Sequence, residues 1–198
     1  ATMTFNDAIG SSEALAGLTI TQSNGVTFAS TLDITDGSAG TLTVTDTEDG
    51  SDITFNGAVT LEAVSFAAAG YDLVFNGSGN TFANAATFQN TGTLNLGNAS
   101  GDTFVFDAGL TESTTGTVTL AGSIDSTNDD ITFGAITLAA ATTIDTNATD
   151  TTGDIIIGAV TGANNNLTLD TTTTTGSADN TFTGDINLGS GALSVTGD

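Results

Sequence analysis

Short runs in which apolar residues alternate with Thr recur along the whole chain. Residues 41–45 read Thr-Leu-Thr-Val-Thr, and residues 117–120 and 166–169 repeat the alternation. A period of two places the apolar side chains on one side of a β-strand and the polar ones on the other. Gly, Asn or Asp bounds almost every run, as is typical of turns. The pattern predicts many short β-strands, and residues 62–69 are the one stretch that suggests a helical turn.

One of these runs anchors an imperfect repeat. Residues 52–61, which begin Asp-Ile-Thr-Phe, return at residues 130–138 and in weaker form at residues 154–161. Looser copies extend the series towards both ends of the chain, with a mean spacing of about 25 residues. The anchor residues are Phe5, Phe28, Phe55, Phe75, Phe106, Phe133, Ile157 and Phe182.

A repeat of this length, with short strands and Gly, Asn and Asp at the corners, is typical of a β-solenoid. The absence of Pro agrees with this, because Pro donates no N–H to a ladder. We expect an all-β chain folded as a parallel β-helix of about eight irregular coils, with Phe55, Phe75, Phe106 and Phe133 inside. Residues 1–198 then form a single domain, either a segment of a longer chain or a filament subunit. An antiparallel, pilin-like β-sandwich is the alternative, since it too has short alternating strands.

Residues 52–61 and 130–138, each followed by spacers rich in Gly, Asn and Thr, resemble the repeat regions of large bacterial exoproteins. These include filamentous-haemagglutinin-like adhesins and autotransporter passengers. The resemblance covers most of the chain loosely. It implies a right-handed parallel β-helix, secretion, and a place on the cell surface or in a filament. It carries no catalytic residue that could be transferred to this chain.

The charge composition excludes several classes of function. The chain has 23 acidic residues and no Lys, Arg, His or Cys, which gives a formal net charge of −23. Nucleic-acid binding is excluded because it depends on basic residues at the phosphates. A P-loop Lys, a Ser-His-Asp triad and a Cys nucleophile are excluded in the same way. We also expect the chain to catalyse no other reaction. We expect no membrane insertion, because the longest apolar stretch, residues 63–70, is too short to span a bilayer.

Calcium is the cofactor that the residue types still allow, because it is bound by oxygen ligands. Asp and Asn cluster in residues 125–130 and 145–150, and a further Asp follows. Neither segment has the ligand spacing of an EF-hand, and the alternative is that these acids cap turns and keep the surface solvated. The candidate calcium ligands are Asp125, Asp129, Asp130, Asp145, Asp150 and Asp154.

The function that these observations favour is structural: an extracellular or cell-surface rod or fibre, such as a surface filament or an adhesin stalk. A calcium-dependent surface-lattice or pilus-like subunit is one alternative, and an ice- or carbohydrate-binding module is another. Ice binding needs the same Thr face on every coil, and the drift of the anchor spacing between about 20 and 31 residues argues against such registry. Strand edges without Pro or Lys predict end-to-end self-association into filaments. A host or surface carbohydrate is a further candidate partner.

Overall fold

The computed structural model describes residues 1–36, 40–114, 116–147, 152–173 and 177–197. Every regular element in these residues is a β-strand, which confirms the all-β prediction. In chain order the strands are β1 (Met3–Phe5), β2 (Gly17–Ile20), β3 (Val26–Phe28), β4 (Leu32–Ile34), β5 (Thr41–Val44), β6 (Asp52–Phe55), β7 (Val59–Leu61), β8 (Ala63–Phe66), β9 (Asp72–Phe75), β10 (Asn80–Phe82), β11 (Ala86–Phe88), β12 (Leu94–Leu96), β13 (Thr103–Phe106), β14 (Leu110–Glu112), β15 (Val118–Ser126), β16 (Ile131–Phe133), β17 (Ile136–Asp145), β18 (Ile155–Ile157), β19 (Val160–Thr161), β20 (Leu167–Asp170), β21 (Asn180–Phe182), β22 (Ile186–Asn187) and β23 (Leu193–Thr196).

The strands form three faces that run the length of the molecule. Face 1 consists of β1, β3, β6, β9, β12, the first parts of β15 and β17, β19 and β22. Face 2 consists of β4, β7, β10, β13, the second parts of β15 and β17, β20 and β23. Face 3 has two ladders, β2–β5–β8 and β11–β14–β16–β18–β21, and β8 contacts β11. All pairings among the described strands are parallel, which confirms the parallel β-helix and excludes the antiparallel sandwich.

One coil passes along face 1, face 2 and face 3 in turn, and about eight coils are stacked. Coil length varies: Phe28 pairs with Phe55, 27 residues further on, whereas Leu120 pairs with Leu138 after only 18 residues. The ladders stay in register because the loops and corners take up these differences. In β15 the chain turns from face 1 to face 2 within the strand, and the register shifts between Leu120 and Gly122 at that bend.

The inward side chains stack into columns parallel to the axis. On face 1 the rings of Phe5, Phe28, Phe55 and Phe75 lie nearly parallel, with successive centroid separations of 5.1, 5.0 and 4.6 Å. Leu, Ile and Val continue the columns through the later coils, and together they form one hydrophobic cluster. Offset stacking of rings adds to the free energy gained by burying them.

The four Phe residues predicted to lie inside are all buried. The prediction treated the anchor residues as one recurring position, but the structure distributes them over different faces. Phe55 and Phe75 lie on face 1, Phe106 lies on face 2 and Phe133 lies on face 3. All three strands of a coil use the same alternation of apolar and polar residues, so the motif does not reveal which face a strand occupies.

The helical turn expected at residues 62–69 is a strand, β8. Val44 of β5 is the register partner of Phe66, and the Phe66 ring stacks on Phe88 at 5.2 Å. Phe66 is buried in the core. The helix propensity of Ala and Glu in this stretch is overridden because strand pairing buries the ring and satisfies the backbone.

Candidate functional site

The predicted calcium ligands fall mainly into two columns on successive coils. Asp125 and Asp145 are register partners on the outward side of face 2. Asp170 extends this first Asp column to the next coil, because it is the partner of Asp145. The sequence prediction missed Asp170, although its distance of one coil from Asp145 was the signal that could have identified it.

Asp130 and Asp154 belong to a second Asp column, at the corner that leads into face 3, and Asp179 completes it. The Asp154 N–H donates to Asp130 Oδ1 at 2.9 Å, and the Asp179 N–H donates to Asp154 Oδ1 at 2.8 Å. Each carboxylate therefore accepts a backbone N–H from the coil that follows. A carboxylate acceptor satisfies a backbone donor that the ladder leaves unpaired.

The structure does not gather the six candidates around one point. Asp129 lies next to the second Asp column and uses its backbone carbonyl to accept a hydrogen bond from Ser126 Oγ at 2.5 Å. Asp150 lies outside the described residues. Within the described ranges, no group of three or more acidic side chains comes close enough to hold a metal ion.

Repulsion acts within the first Asp column, since the chain contains no Lys, Arg or His that could neutralise it. Burial raises the pKa of Asp125, and the neighbouring charge of Asp145 raises it further. A hydrogen bond of 2.7 Å from Ser123 Oγ to Asp125 Oδ1 lowers the pKa of Asp125 and partly offsets these effects. The column is thus a line of like charges that face 2 holds in register.

Two buried carboxylates are likewise occupied by the backbone. Glu112 is 5% exposed and accepts hydrogen bonds from the N–H groups of Thr114 and Gly134. Asp102 accepts from the N–H groups of two residues in the preceding turn, Asn98 at 2.8 Å and Ala99 at 2.9 Å. These acids close corners of the solenoid, and their described hydrogen bonds all come from backbone N–H groups.

The centres of faces 1 and 3 each carry an outward column dominated by hydroxyl side chains. Within each ladder the members are register partners on successive coils, so the drift in coil length does not disturb the alignment. This corrects the expectation that the drift would destroy such registry, because the loops absorb it. The face 1 column consists of Thr4, Thr27, Thr54, Val74, Asn95, Thr119, Thr137, Thr161 and Asn187. The face 3 column consists of Thr19, Thr43 and Ser65 in the first ladder and Thr87, Thr111, Thr132, Ile156 and Thr181 in the second.

Large exposed apolar side chains occur at the two ends of the rod. Met3 in β1 is 53% exposed, and Leu193 and Val195 in β23 are 43% and 48% exposed. Beside Met3, a hollow of about 180 Å³ opens into the apolar interior next to Phe5 and Phe28. Elsewhere in the described residues the large apolar side chains are buried or partly buried.

Comparison of the chain with protein-family models, with curated proteins and with solved structures finds no match. In the described residues, no helix has the length and apolar character needed to cross a membrane.

Proposed function

We propose that this chain is a structural rod of the cell exterior, in a surface filament or an adhesin stalk, and that it performs no catalysis. The observation that carries the proposal is one continuous apolar core enclosed by three faces of parallel, hydrogen-bonded strands that run the length of the molecule. The resemblance of the repeats to bacterial exoproteins supports the cell exterior as the compartment.

The contacts that hold the rod together are directed along its axis. The Asn56 N–H donates to the carbonyl of Phe28, and the Asn76 N–H donates to the carbonyl of Phe55, both at 2.8 Å. The stacked Phe rings add apolar contact between the same coils. A pull along the axis must therefore break ladder bonds on three faces together. This construction suits a stalk or spacer, which has to transmit force without changing shape.

End-to-end self-association is the assembly that we propose. At one end β1 and β2 are each paired on one side only, and at the other end β21, β22 and β23 are each paired on one side only. A second copy that continues the solenoid places its β1 on β22 and its residues near Ile9 on β23. The last strand of face 3, β21, belongs to the coil before β22 and β23. The strands of faces 1 and 2 would therefore form the contact with the second copy. A contact of this head-to-tail kind does not close on itself and produces a filament.

Charge opposes the contact, because each copy carries a formal charge of −23. Ladder hydrogen bonds and apolar burial act at short range, whereas the repulsion is long-ranged and screened by salt. We therefore expect assembly to strengthen with ionic strength and to weaken in low salt.

Light scattering over a series of protein and salt concentrations tests this proposal. The wild-type chain should grow into longer particles in high salt, and Val195→Asp should prevent the growth by placing a charge in the contact. Val74→Asp is the matched control, because Val74 faces outward in the middle of the rod, and it should assemble like the wild type. A wild-type chain that stays monomeric in high salt, or equal loss of assembly in both variants, contradicts the proposal.

A second candidate function is binding of a regular surface, ice or a carbohydrate, along the hydroxyl columns of faces 1 and 3. The in-register alignment of those hydroxyls favours it, since a flat array repeats every coil, at about 4.8 Å. An assay of ice recrystallisation tests this candidate. The wild-type chain should inhibit recrystallisation, Thr87→Lys on face 3 should abolish the inhibition, and Thr81→Lys on face 2 should keep it. The absence of any such activity, and of binding to polysaccharides, rules it out.

A further inference from the structure

The sequence contains three Asn-Gly pairs, at residues 24–25, 56–57 and 76–77. In such a pair the backbone nitrogen of Gly can attack the side-chain carbonyl carbon of Asn, because Gly has no side chain to obstruct the approach. The attack releases ammonia and converts the Asn to an acid. It requires a Gly N–H that can lose its proton and an Asn carbonyl carbon that is electrophilic, and the structure distinguishes the three pairs on both counts.

The Gly nitrogens of the three pairs differ in their hydrogen bonds. The Gly25 N–H donates to Ser23 Oγ at 3.3 Å, and the Gly77 N–H donates to the carbonyl of Phe55 at 3.2 Å. The Gly57 N–H has no acceptor among the described residues. An N–H that donates a hydrogen bond is held in place and keeps its proton more firmly. Gly57 therefore has the nitrogen that is best able to react.

The side chain of Asn56 is activated by a neighbour. Asn56 and Asn76 directly follow β6 and β9, so they lie on successive coils at the end of face 1. Asn76 Nδ2 donates to Asn56 Oδ1 at 3.1 Å. This hydrogen bond draws electrons from the Asn56 carbonyl and stabilises the negative charge that develops on Oδ1 during the attack. Asn56 is also exposed, so water reaches it.

We propose that Asn56 is a site of spontaneous deamidation, activated by Asn76. The Gly57 nitrogen gives its proton to hydroxide and bonds to Asn56 Cγ, the bond between Cγ and Nδ2 breaks, and Nδ2 leaves as ammonia with a proton from water. Water then opens the resulting cyclic imide at either carbonyl and leaves Asp or isoaspartate at position 56. Water is the one co-reactant that is consumed. This inference does not depend on the proposed assembly.

The isoaspartate product changes the corner between β6 and β7, because it adds one carbon to the backbone directly before Gly57. Gly57 is packed closely on the preceding coil, where a Cβ built on it would lie 2.4 Å from the carbonyl carbon of Ser30. An added backbone atom displaces this contact, since a close-packed structure has no free volume to receive it. Deamidation therefore loosens one corner of the rod and adds a negative charge there.

Incubation at mildly alkaline pH, followed by pepsin digestion and mass spectrometry of the peptides, measures the three Asn-Gly pairs in one sample. Pepsin replaces trypsin because the chain has no Lys or Arg. In the folded chain, Asn56 should be converted about fivefold or more faster than Asn24 or Asn76. In the chain unfolded with guanidinium, the three pairs should react at similar rates, because the hydrogen bonds that distinguish them are lost.

Asn76→Ala tests the activation, because it removes the donor to Asn56 Oδ1 and leaves Gly57 in place. It should slow the conversion of Asn56 about threefold in the folded chain. Asn95→Ala is the matched control. It removes an outward Asn from the next coil of face 1 and should leave the conversion of Asn56 unchanged.

Selective conversion of Asn56 in the folded chain, slowed by Asn76→Ala and not by Asn95→Ala, supports the proposal. Asn76→Asp, which cannot donate to Asn56 at alkaline pH, serves in place of Asn76→Ala if that variant does not fold. Conversion of Asn24 or Asn76 at a rate equal to or above that of Asn56 in the folded chain overturns the proposal. An Asn56 that stays intact in the folded chain, or a rate that Asn76→Ala leaves unchanged, overturns it as well.

Discussion

At the scale of the residue, the side of the strand on which a side chain lies decides its role. In β9, Leu73 and Phe75 point into the core, whereas Val74 between them points outward in the face 1 column. The inward residue is surrounded by the neighbouring coils, and the outward one by solvent and its two ladder partners. Substitutions at adjacent positions should therefore differ strongly in their effect on stability.

Phe75→Ala should lower the free energy of unfolding by about 3–5 kcal/mol, the range for a large buried ring that leaves a cavity. The Phe75 ring stacks on Phe55 at 4.6 Å and meets the edges of Phe82, Phe88 and Phe104. Urea denaturation provides the measurement.

Val74→Ala is the control for Phe75→Ala, and it should change the free energy of unfolding by about 0.5 kcal/mol or less. If both variants lose the same amount, the assignment of inward and outward positions in β9 is wrong.

Asp125→Asn should raise the free energy of unfolding at pH 7 by about 0.5 kcal/mol, because it removes a like charge from a cross-strand pair. Folding raises the pKa of Asp125 above its ordinary value of 3.8. At pH values between the ordinary pKa of Asp125 in the unfolded chain and its raised pKa in the folded protein, the folded protein binds more protons than the unfolded one. The free energy of unfolding therefore falls as the pH rises through this interval. The gain from Asp125→Asn should thus be present at neutral pH and vanish below pH 3.8.

Unfolding of Asp125→Asn at a series of pH values checks this sign. Asp33→Asn is the control: Asp33 lies in the same outward position of face 2, but its ladder partner is Thr60 rather than an acid. An equal gain in both variants would show that net charge, and not the first Asp column, is responsible.

At the scale of the element, the strands are held in register by corners that admit very little side-chain volume. Gly122 lies at the bend of β15 with a φ of 85°, and a Cβ built on it would lie 2.1 Å from the carbonyl oxygen of Asp102. Its lack of a side chain allows one strand to pass from face 1 to face 2 without leaving the ladder.

Gly122→Ala should therefore destabilise the chain by about 2 kcal/mol or more, from strain at positive φ and from the clash with Asp102. Gly101→Ala is the matched control, since a Cβ there would meet nothing within 4 Å. Chemical denaturation of the two variants, compared with wild type, makes the test. Equal stability of Gly122→Ala and wild type would mean that β15 does not bend at this residue.

The alternation of Leu, Val and Phe with Thr predicted the strands, and the spacing of the Asp-Ile-Thr-Phe segments predicted parallel coils. The sequence did not reveal that Phe55 and Phe133 lie on different faces, because every strand of a coil has the same period. Asp170 was missed because the candidate ligands came from clusters of acids along the chain, whereas Asp170 has no acidic neighbour in sequence and lies one coil beyond Asp145.

At the scale of the whole molecule, charge and apolar surface are separated. The central columns of faces 1 and 3 contain no acid in the described residues, whereas the first Asp column lies on face 2. Large exposed apolar side chains are found at the ends. Within the molecule, strand ladders and stacked apolar side chains join successive coils along the axis, and this is the reason that a rod or filament is the function we propose.

The register of the coils is the central claim, and disulfide formation between engineered Cys pairs tests it most directly, because the chain has no Cys of its own. Thr27 and Thr54 are outward register partners on neighbouring coils. Their Cα atoms should lie about 4.8 Å apart, within the range of roughly 4.4–6.8 Å that a disulfide spans. Thr27→Cys with Thr54→Cys should therefore cross-link readily under mild oxidation. Thr27→Cys with Thr60→Cys should not, because Thr60 lies on face 2. Equal cross-linking of both pairs, or of the second pair alone, would contradict the solenoid.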